Sequence, residues 1–343
     1  MIYNIINAKI IISSKQLEKI TNAVKGENNL MELKTGVIIV TYNRLNKLKL
    51  ALASYEKQSV KPKYILVVNN SSTDGTQEFL DDWKTQITDI EKKVVNLDKN
   101  TGGSGGFYHG LKASLSLEAE WIWLADDDAY PQENAFEIAQ KYIKDHMDDN
   151  LSAVCGCVLK SDGMTIDFSH RRTIHTAPFS RISQPYSRPR DYKLDEFEIN
   201  AFSYVGTLIN REKLLQTELT KKDYFIYFDD TEHSYRLSKL GKIVCIPSIK
   251  VVHDAPHTEM SEIVKWKLYY LVRNTLDFIR CNFEDKYFKE QCLEVPFVFK
   301  VAVLLFGKNK KDGYKMIDEA VKDAKAGKSG LHEIYKPGWN PQK

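Results

Sequence analysis

The sequence has no apolar run that is long enough to cross a bilayer, which takes about 20 predominantly apolar residues. The nearest candidate, residues 295–306, is interrupted by Pro296 and Lys300. The N-terminus also lacks the basic, apolar and small-residue regions of a secretory signal peptide, and residues 1–33 have the mixed polarity of an N-terminal extension. We therefore expect a cytoplasmic chain.

Cysteine is scarce, and the five cysteines of the 343 residues do not follow the spacing of a zinc finger. Free thiols in a reducing cytoplasm are the simplest interpretation. Positive and negative side chains nearly balance at a formal net charge of +3, so the overall charge does not indicate a nucleic-acid partner.

Short apolar runs alternate with amphipathic segments in the first half of the chain. The predicted strands are 36–40, 63–68, 94–97 and 121–125, and the predicted helices are 45–58, 76–83 and 109–117. This alternation is typical of an α/β fold with a mostly parallel sheet and helices on both faces. Ligands bind at the carboxyl ends of such strands, so the polar segments found there are expected to form one site.

The second half is less regular. Residues 165–192 are rich in Arg, Ser and Pro and predict a long loop whose arginines either cover a phosphate or are solvated. Residues 261–343 are predicted to form a C-terminal helical subdomain. Within it, residues 295–306 and the surrounding lysines allow two interpretations, a segment lying in a membrane interface or a core helix.

The most informative motif is the acidic triplet Asp126-Asp127-Asp128 at the end of the strand 121–125. Alternation along a strand places Asp126 and Asp128 on one face and Asp127 on the other. Two adjacent carboxylates repel each other and lose hydration, and a divalent cation such as Mg²⁺ or Mn²⁺ relieves both costs. For the triplet alone, a solvated acidic turn is an equal alternative.

Several motifs occur together in an order that resembles the inverting family 2 glycosyltransferases of the GT-A fold. They are residues 37–44 (VIIVTYNR), 67–75 (VVNNSSTDG), 100–107 (NTGGSGGF), 125–131 (ADDDAYP), 228–236 (FDDTEHSYR) and 251–253 (VVH). The glycine-rich and Asp-Asp-Asp-Ala segments look most similar to galactofuranosyltransferases, with rhamnosyltransferases next. The resemblance implies a Rossmann-like, nucleotide-sugar-binding GT-A domain at 34–260, with a nucleotide-binding half (34–131) and an acceptor-binding half (132–260).

The resemblance also implies a metal site. Asp126 and Asp128 would hold Mn²⁺ or Mg²⁺ with His253 as the third ligand, and His257 is a weaker competitor. A metal there would act as a Lewis acid on the leaving diphosphate.

A second acidic cluster follows the aromatic run 224–228. The resemblance assigns the general base to Asp230, with Asp229 as the runner-up, while a helix N-terminus is the structural alternative for such acids. The acceptor-binding candidates are Gly206, Glu232 and Arg273. Glu232 fits an ion pair with Arg236 one helical turn later equally well.

The donor nucleotide is expected over the first strand ends. The donor-binding candidates are Thr41, Asn43, Arg44, Asn70, Asp74, Asn100, Gly102, Gly103, Ser104, Gly105, Gly106 and Asp127. The glycine-rich loop follows the third strand rather than the first and no Walker lysine follows it, so a site for the donor sugar and diphosphate is favoured over a dinucleotide fold. For residues 72–75 a capped turn is a compatible alternative.

The leading hypothesis is a metal-dependent inverting transfer of galactofuranose from UDP-galactofuranose to a cell-surface polysaccharide acceptor, lipid-linked by analogy with the family. The enzymatic alternative is a rhamnosyltransferase that uses dTDP-rhamnose. The alternative of a different class is a non-catalytic sugar-binding subunit of a glycan assembly complex. The expected location is the cytoplasm or the inner face of the cell membrane. The sequence does not decide between a monomer and a homo-oligomer.

Overall fold

The computed structural model describes residues 33–255 and 263–341. His257 and nearly all of the N-terminal extension lie outside these ranges. The strands of the described residues are β1 (Thr35–Thr41), β2 (Tyr64–Asn69), β3 (Glu91–Asn96), β4 (Trp121–Asp126), β5 (Ala129–Pro131), β6 (Leu151–Leu159), β7 (Arg171–Arg172), β8 (His175–Ala177), β9 (Arg181–Ser183), β10 (Phe197–Ile199), β11 (Ala201–Phe202), β12 (Thr207–Asn210) and β13 (Lys242–His253).

Helices connect these strands and then form the C-terminal region. In the described ranges they are α1 (Leu45–Glu56), α2 (Thr76–Trp83), α3 (Gly102–Ser114), α4 (Ala135–Asp145), α5 (Arg211–Leu214), α6 (Asp229–Leu237), α7 (Lys267–Asn282), α8 (Asp285–Phe306) and α9 (Lys310–Lys325). No helix of the described residues is both long and apolar enough to cross a membrane.

The main sheet has the strand order β10-β13-β6-β12-β4-β1-β2-β3, and β5 pairs with β13. Strands β4, β1, β2 and β3 are parallel, as are β6 and β13. Strand β12 runs antiparallel to both of its neighbours. The predicted α/β fold is confirmed, and its parallel strands β1–β4 lie within residues 34–131, the half that is predicted to bind the nucleotide.

Strand β1 explains why the central strands of the parallel part consist of consecutive apolar residues. Val37 and Ile39 pack into the core that contains Tyr55 of α1 and Trp123 of β4. Ile38 and Val40 face the opposite side and pack with α3. Because helices cover both faces of the sheet, the central residues 37–40 of the strand are all apolar.

Helix α3 begins at Gly102, so the glycine-rich segment is its first turn and the prediction of a loop at residues 100–106 was wrong. A Cβ atom on Gly106 would lie 2.4 Å from Val40 Cγ1, and one on Gly110 would lie 2.6 Å from Ile38 Cγ2. The glycines therefore let the helix lie close against β1, a tertiary reason that outweighs their low helix propensity.

The C-terminal region is helical as predicted. Helices α7, α8 and α9 pack around a separate apolar cluster that includes Tyr270, Val303 and Ile317. The segment 295–306 is the second half of α8, where Val295 and Val303 are buried while Phe297 and Leu304 are exposed. One face of this segment thus packs against the C-terminal core, and the opposite face is exposed.

Candidate active site

The carboxylates of Asp126 and Asp128 and the imidazole of His253 come together at the carboxyl end of β4. One ligand atom from each of the three side chains lies within 4.8 Å of the other two. The chain turns after Asp126 and returns as β5, whose Ala129 pairs with His253 of β13. The antiparallel β5–β13 pair therefore places His253 beside the acidic turn.

The electrostatics of these three side chains favour the binding of a cation. Burial and the charge of Asp128 raise the pKa of Asp126 to about 7. Burial lowers the pKa of His253, but the contact with Asp128 and the charge of Asp126 outweigh it, so that the pKa is raised overall. Asp128 Oδ1 is buried 3.4 Å from His253 Nε2 without a well-formed hydrogen bond.

Asp127 turns towards β1 rather than towards His253. Its Oδ2 accepts a hydrogen bond of 2.7 Å from the hydroxyl of Thr41. Arg44 Nη1 lies 3.3 Å from Asp127 Oδ1 and 2.6 Å from Asp128 Oδ2. Burial raises the pKa of Asp127 to about 6. Thr41 and Arg44 therefore hold the acidic turn in place.

A cleft of about 270 Å³ opens beside the acidic turn. Eight of the residues predicted from the sequence line it, namely Thr41, Arg44, Asn70, Asn100, Gly102, Gly103, Asp126 and Asp127. A cleft near this size with a few convergent polar groups is typical of a small-molecule site. The clustering of polar segments at the strand ends is thus observed.

The first turn of α3 forms one wall of the cleft. Gly102 has a φ of +73°, and a Cβ atom there would lie 1.9 Å from the carbonyl oxygen of Phe225. A Cβ atom on Gly103 would have no atom within 4 Å. Free amides at a helix N-terminus attract anions. Gly102 thus serves packing, whereas Gly103 presents backbone to the cleft.

Several donor candidates contribute to the shape of the cleft through internal hydrogen bonds. The Asp74 carboxylate accepts from the Leu45 amide at 2.9 Å and therefore caps α1. The Asn70 amide group donates to the carbonyl of Gly102 at 2.9 Å, which ties β2 to α3. Asn43 accepts from the Thr73 amide at 2.7 Å. The capped-turn alternative for residues 72–75 matches these contacts.

The remaining residues of the glycine-rich segment face the protein interior. A Cβ atom on Gly105 would lie 2.3 Å from the Thr101 hydroxyl oxygen. Ser104 is fully buried, and its hydroxyl has no partner with good geometry. Ser104, Gly105 and Gly106 therefore do not line the cleft, and their direct contact with a donor stays a prediction.

Sequence reasoning missed one wall of the cleft, which consists of Tyr42, Phe225, Ile226, Trp266, Lys267 and Pro337. Burial lowers the pKa of Lys267, and the nearby positive charge of Arg44 lowers it further. Two cations that face one cleft suit a diphosphate. Residues 266 and 267 belong to the C-terminal helical region, and no local pattern connected them with the strand ends.

The second acidic cluster is the first turn of α6. The preceding Phe225, Tyr227 and Phe228 have positive φ angles between 66° and 68°, which L-residues rarely adopt. Burial and the charge of Asp230 raise the pKa of Asp229 well above its usual range. Burial also raises the pKa of Asp230, but the charge of Arg172 and the Thr231 amide oppose this shift. Asp230 is therefore the more easily ionised of the two.

The three acceptor-binding candidates have internal contacts, and their contact with an acceptor stays a prediction. The two Glu232 oxygens accept from Arg236 at 2.8 and 2.9 Å in a buried ion pair. Arg273 is buried and donates to the carbonyls of Gly330 and Tyr224. Gly206, with a φ of +65°, packs against Val251. None of these three residues is among the described residues that line the cleft.

Two further groups near the site come from the long segment 165–192. The ring of His170 lies 5.1 Å from that of His253, and its Nε2 lies 3.5 Å from Asp167 Oδ2. Burial lowers the pKa of His170 to about 4. Arg171 is fully buried and donates to the carbonyls of Gly156 and Val205. His170 and Arg171 of this segment therefore pack beside the site.

The model for glycosyl transferase family 2 matches residues 36–216, more than half of the chain. The galactofuranosyltransferase GlfT1 of Mycolicibacterium smegmatis is 34% identical over 94 residues, which are 27% of this chain and 30% of the relative. The chain thus matches less than a third of that enzyme. An uncharacterized glycosyltransferase, YwdF of Bacillus subtilis, is 25% identical over 252 residues, 70% of this chain and 82% of the relative.

Solved structures share the fold at low sequence identity. TarS 1-349 of S. aureus in complex with UDP-GlcNAc has a TM-score of 0.52 at 14% identity, covering 90% of this chain and 98% of that one. GalNAc-T7 with UDP, GalNAc and Mn²⁺ has a TM-score of 0.56 at 13% identity, covering 92% and 65%. With the family match over more than half of its length, the chain belongs to the family 2 glycosyltransferases.

Proposed function

We propose that this glycosyltransferase moves galactofuranose from UDP-galactofuranose to a cell-surface polysaccharide acceptor, with inversion and with Mn²⁺ or Mg²⁺. One observation carries the proposal, the group of Asp126, Asp128 and His253 beside the cleft. The choice of galactofuranose is supported by the partial similarity to GlfT1.

The side chains of this group fit a divalent cation. Two carboxylates and one imidazole are acceptable ligands for Mn²⁺ and Mg²⁺, and Asp128 Oδ1 is a buried oxygen without a well-formed hydrogen bond. Such a cation supplies Lewis-acid stabilisation of the departing nucleoside diphosphate. Asp126, Asp128 and His253 are the proposed ligands.

The donor diphosphate is proposed to lie between the N-terminus of α3 and the two cations Arg44 and Lys267. The open side of Gly103 lets backbone approach the donor without a steric barrier. Arg44 already contacts the acidic turn and is nearly half exposed, so it has room to contact a phosphate as well. Fixed positive groups in a cleft hold the leaving group without reorganisation during transfer.

Asp230 is the proposed general base. An inverting transfer needs a carboxylate that removes the proton from the acceptor hydroxyl as that oxygen attacks the sugar. Asp230 is partly exposed, and Arg172 favours its ionised form. Burial and the charge of Asp230 raise the pKa of the neighbouring Asp229 and so favour its protonated form, and Asp229 is therefore proposed to position the base.

The proposed acceptor is lipid-linked, and the proposed location is the cytoplasmic face of the cell membrane. There a water-soluble nucleotide sugar meets an acceptor that is anchored in lipid. Membership of family 2 does not specify a donor or an acceptor, so both are part of the proposal.

The test is to incubate the purified chain with UDP-galactofuranose or dTDP-rhamnose, with Mn²⁺ or with EDTA, and to measure nucleotide release and glycan extension. We expect Mn²⁺-dependent release from UDP-galactofuranose, and titration calorimetry should show Mn²⁺-dependent binding of UDP. A preference for dTDP and rhamnose would replace the proposed donor. Tight binding without turnover of either donor, with membrane extract present as acceptor, would support the non-catalytic alternative.

A further inference from the structure

We infer that the outward face of α8 is a docking surface for the headgroup region of an anionic lipid bilayer. This surface, called the α8 face below, consists of Leu293, Phe297, Val298, Val301, Leu304 and Leu305. Vesicle binding needs neither donor nor acceptor, so the inference does not depend on the proposed reaction.

The α8 face is apolar and open. Phe297 and Leu293 are each 68% exposed, and Leu305 is 66% exposed. The opposite side of the helix carries Val295 and Val303, which are buried against the C-terminal core. A soluble monomer rarely exposes so many large apolar side chains next to one another, and such patches mark interaction sites.

The charged residues in the C-terminal half of α8 and in the turn after it have one sign. Between residues 295 and 311 the chain has four lysines and no acidic residue. Lys300 pairs with Asp318 at 2.6 Å, whereas Lys308, Lys310 and Lys311 are exposed just after the helix. An apolar helix face bordered by lysines is the arrangement with which helices lie in an anionic membrane interface.

A second element extends the surface beside α8. The hairpin β8–β9 packs against the helix, and Arg181 Nε lies 3.3 Å from Glu294 Oε1. At its tip, Phe179 is 86% exposed and has a φ of +60°. Phe179 and Ser180 both have a positive φ in the tight turn between β8 and β9, which places the exposed ring at the tip of the hairpin. From there the ring can insert among lipid headgroups.

A bilayer satisfies this combination better than a second copy of the chain. A second copy would bring the same exposed lysines to the contact, where their like charges would repel each other. Anionic headgroups neutralise the lysines while the acyl boundary takes up the apolar side chains.

The inference is tested by flotation of the full-length chain with vesicles of phosphatidylcholine alone or mixed with phosphatidylglycerol. We expect the protein to float with the mixed vesicles at low salt and to bind much less to phosphatidylcholine alone. The double variant Phe297→Asp, Leu304→Asp should reduce the bound fraction by about tenfold or more, because carboxylates are poorly tolerated at that depth. The variant Ile87→Asp, which changes a fully exposed isoleucine elsewhere, is the matched control and should bind like the wild type.

A second variant keeps the test independent of folding effects. Replacing Lys308, Lys310 and Lys311 by Gln leaves the apolar side chains intact and should reduce binding to the mixed vesicles. Wild-type protein that does not float, or a Phe297→Asp, Leu304→Asp variant that floats fully, would overturn the inference. So would a wild-type dimer that ignores vesicles and becomes monomeric in the double variant by light scattering, since the face would then contact a second copy.

Discussion

His253 Nε2 lies 3.4 Å from Asp128 Oδ1, although the two residues lie far apart in the chain. The pairing of β5 with β13 brings them together. If Asp128 and His253 are two of the three ligands of a metal ion, removing either side chain should weaken the binding of the metal and of the donor together.

We expect Asp128→Ala to weaken Mn²⁺-dependent UDP binding by at least the 10- to 100-fold that is lost when even an outer partner of a metal ligand is removed. Titration calorimetry with and without Mn²⁺ measures this. Asp254→Asn is the matched control, because Asp254 is adjacent and acidic but pairs with Lys47 outside the ligand group. Equal losses in both variants would mean that general charge, not ligation, explains the effect.

The affinity for Mn²⁺ should fall as the pH falls from 8 to 6. The pKa of Asp126 is raised to about 7, so a growing fraction of this carboxyl is protonated below that pH and must release its proton to bind metal. The raised pKa of His253 acts in the same direction. Calorimetry in two buffers with different ionisation enthalpies should show net proton release at pH 7. An affinity that is constant over this range would contradict the arrangement.

Asp230→Asn should reduce the transfer rate by about 10²- to 10⁴-fold, the usual contribution of general base catalysis, and leave donor binding unchanged. Asp229→Asn should be much milder, because burial and the charge of Asp230 raise the pKa of Asp229, and an amide resembles the protonated carboxyl that this shift favours. Steady-state kinetics and UDP titration separate the two effects. If Asp229→Asn is inactive while Asp230→Asn retains activity, Asp229 is the base.

Arg172→Gln should move the acid limb of the pH profile of kcat/KM to higher pH. The positive charge of Arg172 opposes the burial that raises the pKa of Asp230, so its loss lets that pKa rise further. The base is then ionised only at higher pH. Arg172→Lys keeps the charge and should keep most of the profile. A uniform loss of rate with an unchanged profile would assign Arg172 a structural role only.

Gly102→Ala and Gly103→Ala form a matched pair in the first turn of α3. Gly102→Ala should lower the free energy of unfolding by about 1–3 kcal/mol or more, because its φ is positive and the Cβ meets the Phe225 carbonyl. Gly103→Ala should leave stability within about 0.5 kcal/mol, because its Cβ meets nothing. Thermal and denaturant unfolding measure both. UDP affinity should fall in the stable Gly103→Ala variant if this residue borders the donor.

The sequence predicted the parallel half of the fold well because both faces of that sheet are buried. Runs such as residues 37–40 are continuously apolar only where helices cover both sides. The antiparallel direction of strand β12 was not predicted, because a short buried strand carries no local signal of its direction. The helical start of the glycine-rich segment was also missed, since its glycines are needed for close contact with β1.

The roles of single charged residues were less predictable. Glu232 and Arg273 are polar residues near suggestive motifs, yet both are buried in internal contacts. Lys267 and Trp266 line the cleft although they lie far along the chain from the strand ends. Burial and contacts between residues far apart in the chain decide these roles, and the local spacing of residues predicts neither.

By itself, the sequence determined the α/β class and the edge of the sheet at which the polar segments gather, because parallel strands end at the same edge. It also determined that an acidic turn stands there. Only the tertiary structure decided how strand pairing brings His253, which the resemblance implied, to this turn, that burial raises the pKa of Asp229 beside Asp230, and that one face of α8 stays open. These outcomes depend on strand pairing and burial across long chain separations, which no local pattern encodes.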